Sequence, residues 1–359
     1  MATLSSETHA GSFRSTILVG CALLCAGWNL SGAPATTGQI GAARFTISLP
    51  ATNWNGSVLL LAHGFRPDGA PQLADLEESN PQFIALRNSG WLVASTSFRR
   101  NGMIIRDAID DLDQLRDHIA KVHGQPKRVF VQGESMGGTI ATLMAERSPG
   151  RYAGFLAIGA ALEAEDPGNP LKPSGAPRIP LLFLSNRSEV DGPSAYSTKV
   201  TEEPKPVLWR VDRDGHVNVN SAERAQALTA LVGWAAGARP SPGAVATGPP
   251  KPGASTAKRI LGRRAEGSIT KVNPFYGNLT TSLLAADLES AGVKARSRFN
   301  LTLGAQTVSV LYGSDFGDVP KGEWVAFVDA EGFVFISKNW DNAAKAAGVK
   351  TGDPVTVDR

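Results

Sequence analysis

Short apolar runs alternate with amphipathic helical stretches along the first two thirds of the chain. Residues 58–62 form a continuous apolar run, which is typical of a strand buried on both faces. Residues 107–123 place Ile109 and Leu112 near one face and predict a helix that ends at Gly124. Strands that alternate with helices predict a mostly parallel sheet covered by helices on both faces. The other elements predicted here are strands at residues 43–49, 91–98, 129–131, 154–158, 179–184 and 207–211 and helices at residues 82–88, 139–147 and 222–234.

The pattern changes in the last third of the chain, where apolar and polar positions alternate in short segments. The glycine-bearing turn Asp329-Ala-Glu-Gly332 joins two of these segments as a hairpin. Strands of this kind predict a small, mostly antiparallel β-barrel. The predicted elements are strands at residues 299–303, 307–312, 324–328, 333–337 and 354–357 and a short helix at residues 341–347.

A segment dense in proline, glycine, alanine and serine separates the two patterns. It includes Pro249-Pro-Lys-Pro252 and cannot bury a core, so it predicts an extended linker. A chain of 359 residues also suggests two domains. The predicted organisation is a signal peptide at residues 1–35, an α/β domain at 36–237, a linker at 238–266 and a β-barrel at 267–359.

The N-terminal segment has the order of a secretory signal peptide. Arg14 precedes the apolar residues 15–30, and Ala33-Pro-Ala35 supplies small residues for cleavage. The apolar core is shorter than the roughly 20 residues of a membrane span, so we expect no stable membrane insertion after cleavage. The protein is therefore predicted to be secreted or periplasmic. A lipoprotein box ending at Cys21 and an uncleaved anchor remain as alternatives.

The positions of the cysteines and the small net charge limit the kinds of chemistry and partner that we expect. Both cysteines, Cys21 and Cys25, lie inside the predicted signal peptide, so thiol catalysis, disulfides and cysteine-ligated metals are not expected in the mature chain. The net charge of +3 is small, and no concentrated basic face is apparent, so a nucleic-acid partner is not expected.

Residues 133–137 carry the strongest chemical signal in the sequence. They read Gly-Glu-Ser-Met-Gly and lie between a predicted strand and a predicted helix. A strand that turns sharply into a helix presents the central serine at the carboxyl edge of the sheet, with glycines on both sides to avoid collisions. Ser135 is therefore the predicted nucleophile.

A serine hydroxyl needs a base, and the base needs a carboxylate that fixes its tautomer. His216 follows the last strand of the predicted sheet and is the predicted base. The loop after residues 180–184 contains two candidate acids, Glu189 and Asp191. Glu189 is the predicted acid, because it takes the acid position if Asn186 stands where a glycine usually ends this strand, and Asp191 is the alternative.

These features together resemble an α/β-hydrolase-fold serine hydrolase, over residues of about 43–237. The resemblance rests on His63-Gly64, the serine elbow, the loop at Glu189 and Gly215-His216. It implies cleavage of an ester, thioester or amide through an acyl-enzyme, without a cofactor or metal. The oxyanion would be held by the backbone N–H groups of Phe65 and Met136. A plain turn with a structural His63 is the alternative for that loop.

The barrel region resembles the C-terminal domain of the S-adenosyl-L-methionine hydroxide adenosyltransferases. The resemblance rests on five segments. The family usually has asparagine at Ser282 and serine near Ala330-Glu331, so its nucleoside chemistry is not carried over. The family barrel makes subunit contacts, which implies a role in assembly, as a homo-oligomer, or in substrate docking. The five segments are Phe275-Tyr-Gly-Asn-Leu-Thr-Thr281, residues 313–323, Glu331-Gly332, Asn342-Ala343 and Gly352-Asp-Pro-Val355.

The sequence thus favours an exported carboxylesterase that acts on a small-molecule or oligomeric ester. Only residues 159–178 lie between two of the predicted strands, too few for a large lid, so a fairly open cleft is expected. A serine exo- or oligopeptidase on the same core is the first alternative. A non-catalytic binding or assembly protein is the second, and nucleoside chemistry in the barrel is the third.

Overall fold

The computed structural model describes residues 35–148, 150–168, 170–245, 253–260 and 263–358. The predicted signal peptide, apart from Ala35, lies outside these ranges together with both cysteines, and so does the middle of the predicted linker. In the part of the chain that is described, no helix combines the length and the apolar character needed to cross a membrane.

The first domain is a twisted sheet with helices on both faces, as the alternating pattern predicts. Its strand order is β1-β2-β4-β3-β5-β6-β7-β8-β9, in which β1, β2 and β4 pair antiparallel and the remaining pairs are parallel. The strands are β1 (Thr36–Ile40), β2 (Ala43–Ser48), β3 (Ser57–Ala62), β4 (Leu92–Thr96), β5 (Arg128–Glu134), β6 (Gly154–Ile158), β7 (Leu181–Asn186), β8 (Val207–Val211) and β9 (Gly243–Ala244). The helices are α1 (Pro81–Asn88), α2 (Arg106–His123), α3 (Met136–Arg147), α4 (Asp191–Lys199) and α5 (Ser221–Ala235).

Strand β3 shows why an apolar run without alternation predicts a central strand. Val58 and Leu60 pack into the core beneath α2 and α3, whereas Leu59 packs into the core beneath α1 and α5. Each successive side chain points to the opposite face of the sheet, and both faces are covered. Two elements of this domain, β1 and α4, have no such signal: β1 is mostly exposed and α4 lacks an apolar stripe.

The second domain is a mostly antiparallel barrel, so the predicted fold class is confirmed for both domains. Its order is β10-β11-β12-β16-β15-β14-β13-β17, and pairing of β11 with β17 closes it. The single parallel pair among its described strands is β14 with β15. The elements are β10 (Lys258–Ile260), β11 (Arg264–Val272), β12 (Leu279–Leu284), α6 (Ala285–Ser290), β13 (Arg298–Leu303), β14 (Gln306–Tyr312), β15 (Trp324–Val328), β16 (Phe333–Lys338), α7 (Ala343–Ala347) and β17 (Pro354–Asp358).

Short strands of both domains extend into the segment predicted to be the linker. Gly243–Ala244 pairs with β8 in the first sheet, while β10 and the first residues of β11 lie before residue 267 and belong to the barrel. Composition could not indicate these pairings, because a short strand needs only backbone donors and acceptors on a neighbouring edge.

The barrel packs against the carboxyl edge of the first sheet. The Tyr276 hydroxyl donates a hydrogen bond to the Phe65 carbonyl, and the Arg66 guanidinium lies 3.6 Å from the centre of the Phe275 ring. Two consecutive barrel residues therefore hold two consecutive residues of the loop that follows β3.

A second set of contacts joins the barrel to the N-terminus of α5. Asn220 Nδ2 donates to the Ala330 carbonyl over 3.4 Å, and the Ser221 N–H donates to Glu331 Oε1 over 3.2 Å. Ala330 and Glu331 are among the positions at which this chain departs from the adenosyltransferase pattern. In this protein they contact the first domain.

Candidate active site

The turn between β5 and α3 is an elbow that only glycine permits at two positions. A Cβ on Gly133 would lie 2.0 Å from the Gly137 carbonyl oxygen, and a Cβ on Gly137 would lie 2.0 Å from the Ala62 carbonyl oxygen. Ser135, between them, has φ +55° and ψ −116°. A non-glycine residue in this region costs about 1–3 kcal/mol, which the surrounding packing must offset. Although Ser135 directly precedes α3, its hydroxyl does not cap the helix.

The Ser135 hydroxyl instead contacts His216, and His216 contacts Glu189. His216 Nε2 lies 2.8 Å from Ser135 Oγ, and His216 Nδ1 lies 2.7 Å from Glu189 Oε2. The other carboxylate oxygen, Glu189 Oε1, accepts hydrogen bonds from the N–H groups of Asn186, over 3.3 Å, and Val217, over 3.2 Å. These backbone donors fix the plane of the carboxylate that faces the imidazole.

The structure brings only one of the two candidate acids to the imidazole. Asp191 lies exposed at the start of α4, two positions beyond Glu189, which contacts His216. Asp212 and Asp214, which are near His216 in sequence, instead bind Arg187, at 3.0 Å and 2.8 Å.

The pKa of His216 is set by opposing effects. Burial is the largest single effect and lowers it, but the surrounding negative charges, chiefly the hydrogen-bonded Glu189, together raise the pKa above the ordinary value of 6.5. Smaller contributions come from Asp315 and Glu134. Asp315 belongs to the barrel, so the second domain adjusts the charge balance at this imidazole.

The two N–H groups expected to hold an oxyanion lie in segments that meet at the elbow. A Cβ on Gly64 would lie 3.2 Å from Ser135 Cβ, so the loop after β3 passes directly beside the serine. Within the described residues, neither the Phe65 N–H nor the Met136 N–H has a hydrogen-bond acceptor. Both donors are therefore available to a ligand atom near Ser135.

His63 is half-buried, and its contacts support a structural role. Its ring lies 4.1 Å from that of Phe98, and Nδ1 is 2.7 Å from the Gly64 carbonyl oxygen. Burial, together with the positive charge of Arg66, lowers the pKa of His63 to about 3. A neutral Nδ1–H can then donate to the carbonyl and help to fix the turn that precedes Phe65.

A cleft of about 1650 Å³ lies between the two domains and contains Ser135 and His216. Sequence reasoning missed its far wall, which the barrel supplies with Tyr276, Phe316 and Trp340 among others. These aromatic residues lie outside the alternating strand pattern, and Tyr276 and Phe316 belong to segments that carry the adenosyltransferase resemblance. Residues 159–178 form no helix or strand where they are described, in agreement with the expected absence of a large lid.

No three histidine, cysteine, aspartate or glutamate side chains in the described ranges are grouped as metal ligands would be.

Two family models match the chain, one in each domain. The model described as "Serine aminopeptidase, S33" matches residues 101–206, which include Ser135 and Glu189. The model described as the SAM hydroxide adenosyltransferase C-terminal domain matches residues 267–356. The protein joins an α/β-hydrolase-fold domain to a SAM hydroxide adenosyltransferase C-terminal domain. Both resemblances predicted from the sequence are thereby confirmed, and the first domain is a hydrolase domain.

Individual relatives cover only parts of this hydrolase-and-barrel protein. A fluorinase from Actinoplanes sp. (strain N902-109) is 30% identical over 111 residues, which are 30% of this chain and 36% of the relative. The chain therefore spans about a third of the length of that curated relative.

Solved structures similar to the protein include esterases and a peptidase. A Pyrococcus furiosus esterase has 15% identity and a TM-score of 0.41, covering 52% of this chain and 84% of its own. Est1E from Butyrivibrio proteoclasticus has 11% identity and a TM-score of 0.40, covering 56% and 100%. Dipeptidyl peptidase 4 from Porphyromonas gingivalis has 12% identity and a TM-score of 0.45, covering 57% and 35%.

Proposed function

We propose that this protein is an exported serine hydrolase that cleaves carboxylic esters through an acyl-enzyme. The observation that carries the proposal is the continuous hydrogen-bonded chain from Ser135 Oγ through His216 to Glu189. A hydroxyl at a strained elbow, an imidazole and a carboxylate in this order are the parts needed to activate a serine.

Each group has one task in the proposed reaction. His216 Nε2 takes the proton of Ser135 as Oγ bonds to the ester carbonyl carbon, and Glu189 stabilises the imidazolium. The carbonyl oxygen becomes an oxyanion that accepts hydrogen bonds from the N–H groups of Phe65 and Met136, each worth about 3 kcal/mol. The imidazolium then protonates the leaving alcohol as its bond to carbon breaks. Water, deprotonated by His216, hydrolyses the acyl-enzyme and restores Ser135.

Three acidic side chains of the cleft are paired with cations, which counts against their use in binding the ammonium group of an aminopeptidase substrate. An aminopeptidase needs a carboxylate to hold the ammonium group of its substrate. Asp75 pairs with Arg66, Glu77 with Lys271 and Glu134 with Arg224. These three are among the carboxylates that line the cleft, which also include Asp315, Asp329 and Glu331.

The decisive measurement compares two substrates with similar chromophores. We expect catalysed hydrolysis of p-nitrophenyl acetate and no hydrolysis of alanine p-nitroanilide above the buffer blank. A fluorophosphonate should label the protein once, on Ser135, as located by peptide mass spectrometry. Comparable rates on the anilide would instead favour the peptidase named by the matching family model.

A non-catalytic binding protein would give a different result from either enzyme. It would neither turn over the ester nor bind the fluorophosphonate covalently. Nucleoside chemistry in the barrel would release adenosine from S-adenosylmethionine, and we expect no release. Labelling of Ser135 combined with ester turnover therefore separates the proposal from both.

The pH dependence follows from the His216 environment. Only neutral His216 can accept the serine proton, so kcat/KM for p-nitrophenyl acetate should rise with pH. Because Glu189 raises the pKa of His216, the midpoint should lie above 6.5. Rates measured from pH 5 to 9, with buffer hydrolysis subtracted, check this. A midpoint below 6.5 would show that burial dominates over Glu189.

Export and self-association through the barrel are also part of the proposal. Export is supported by the order of charge, apolar core and small residues before residue 36. Self-association is supported by the match of residues 267–356 to a family whose barrel makes subunit contacts. N-terminal sequencing of exported protein and light scattering after gel filtration test these two points, and retention in the cytoplasm or a monomeric mass would contradict them.

A further inference from the structure

Trp340 is an exposed aromatic residue in a backbone conformation that rarely accepts one. Its side chain is 71% exposed, and its φ is +57°. A hydrogen bond from the Asp341 N–H to the Lys338 carbonyl closes a β-turn in which Trp340 is the third residue. A positive φ at this position favours glycine or asparagine. The positive φ of Trp340 and its exposed apolar surface therefore both destabilise the folded state, and packing of the side chain offsets little of this.

The turn that carries Trp340 is held firmly from its neighbours. The Asn339 N–H donates to the Glu323 carbonyl over 2.9 Å, and Asn339 Nδ2 donates to the Val319 carbonyl over 2.7 Å. Lys338 and Asp341 form an ion pair across the base of the turn. These contacts fix the direction in which the indole projects.

The indole projects into the cleft beside the residue expected to bind the oxyanion. Its ring centre lies 6.1 Å from that of Phe65, with the two planes at 57°. Lys321 Nζ lies 4.7 Å from the centre of the indole. Because the Tyr276 hydroxyl binds the Phe65 carbonyl, the barrel and the loop after β3 are held together where the two rings meet.

We propose that Trp340 and Phe65 form a subsite for a flat aromatic group of the substrate, next to the scissile ester. The proposal rests on the proposed serine esterase function and names its substrate class. Two rings inclined to each other offer a face and an edge at once, which suits a third aromatic ring in stacked or edge-to-face contact. A saturated ring of the same size has neither the flat shape nor the quadrupole for this geometry.

The test compares benzyl acetate with cyclohexylmethyl acetate, which differ in the aromaticity of one ring. Rates are followed by acid release for wild type, Trp340→Ala, Trp340→Phe and Ile260→Ala. Ile260 is an exposed barrel residue (47%) away from the cleft and is the matched control. We expect Trp340→Ala to lose about 10-fold in kcat/KM on benzyl acetate, mainly through KM, and less than twofold on cyclohexylmethyl acetate. Trp340→Phe should retain most of the preference, and Ile260→Ala all of it.

Two further measurements separate binding from folding and from turnover. Trp340→Gly removes the conformational cost, so its Tm should equal or exceed that of wild type while the benzyl preference is lost. Saturation-transfer NMR should show binding of benzyl alcohol by wild type and about 10-fold weaker binding by Trp340→Ala.

The outcomes test the aromatic subsite and the esterase activity separately. Normal turnover of both esters with an unchanged benzyl preference in Trp340→Ala would overturn the subsite and leave the esterase intact. A lower Tm in Trp340→Gly with unchanged preference would also overturn it, since Trp340 would then serve stability alone. Absence of ester turnover by wild type would count against the esterase, and the benzyl alcohol binding would still decide the subsite.

Discussion

Ser135→Ala should lower kcat for p-nitrophenyl acetate by a factor on the order of 10⁴–10⁶ and remove fluorophosphonate labelling. The methyl group leaves the elbow geometry intact, because a serine at φ +55° already tolerates a Cβ there. What it removes is the atom that forms the acyl bond, and no other hydroxyl is expected to take its place on His216. The remaining rate should come from the oxyanion donors and from substrate binding.

The matched control is Ser197→Ala on α4. Ser197 Oγ donates to the Pro193 carbonyl within its own helix, so its loss should leave both rate and labelling close to wild type. Thermal melting of both variants should show that each is folded. Full turnover by folded Ser135→Ala would place catalysis elsewhere in the chain and would end the proposed mechanism.

Glu189→Gln should lower kcat by a factor on the order of 10³–10⁴. The glutamine carbonyl can still accept the N–H groups of Asn186 and Val217, so its amide nitrogen is left facing His216 Nδ1. A donor at this position favours the tautomer with the proton on Nε2. That tautomer cannot accept the proton of Ser135, so the imidazole fails as a base although its position is unchanged.

Asp191→Asn provides the control, since it makes the same chemical change in the other candidate acid. Asp191 is exposed at the start of α4, so kcat of the Asp191→Asn variant should stay within about twofold of wild type. The Glu189→Gln variant should also move the midpoint of the pH profile below that of wild type, because the charge that raises the pKa of His216 is gone. A larger loss in Asp191→Asn than in Glu189→Gln would assign the acid to Asp191.

The first domain could be predicted well because its signals are local. Continuous apolar runs such as 58–62 identified buried strands, and the five residues around Ser135 identified the elbow. The elements without such signals were missed: β1 is exposed, α4 carries no apolar stripe, and β9 is a two-residue pairing at the edge. In the barrel, β11 and β12 were missed because bulges interrupt their alternation.

The candidate site was predicted only in part, because local signals identified some of its residues and not others. Residue type and position after a strand were enough to select Ser135 and His216, which lie 81 positions apart. They favoured Glu189 as the acid but left Asp191, two positions further along the same loop, as an alternative. That choice depends on the direction of each side chain, which is set by the backbone donors of Asn186 and Val217.

The sequence by itself determined the alternation of the central strands and helices in the first domain, the glycine elbow and the set of residues able to activate a serine, because each depends on neighbours a few positions away. Only the tertiary structure decided which carboxylate meets His216 and what lies across from Ser135. The contact between Tyr276 and Phe65 joins residues 211 positions apart. No local pattern encodes such a pairing, since it arises from the way two separately folded domains pack, and that packing makes Trp340 part of the cleft.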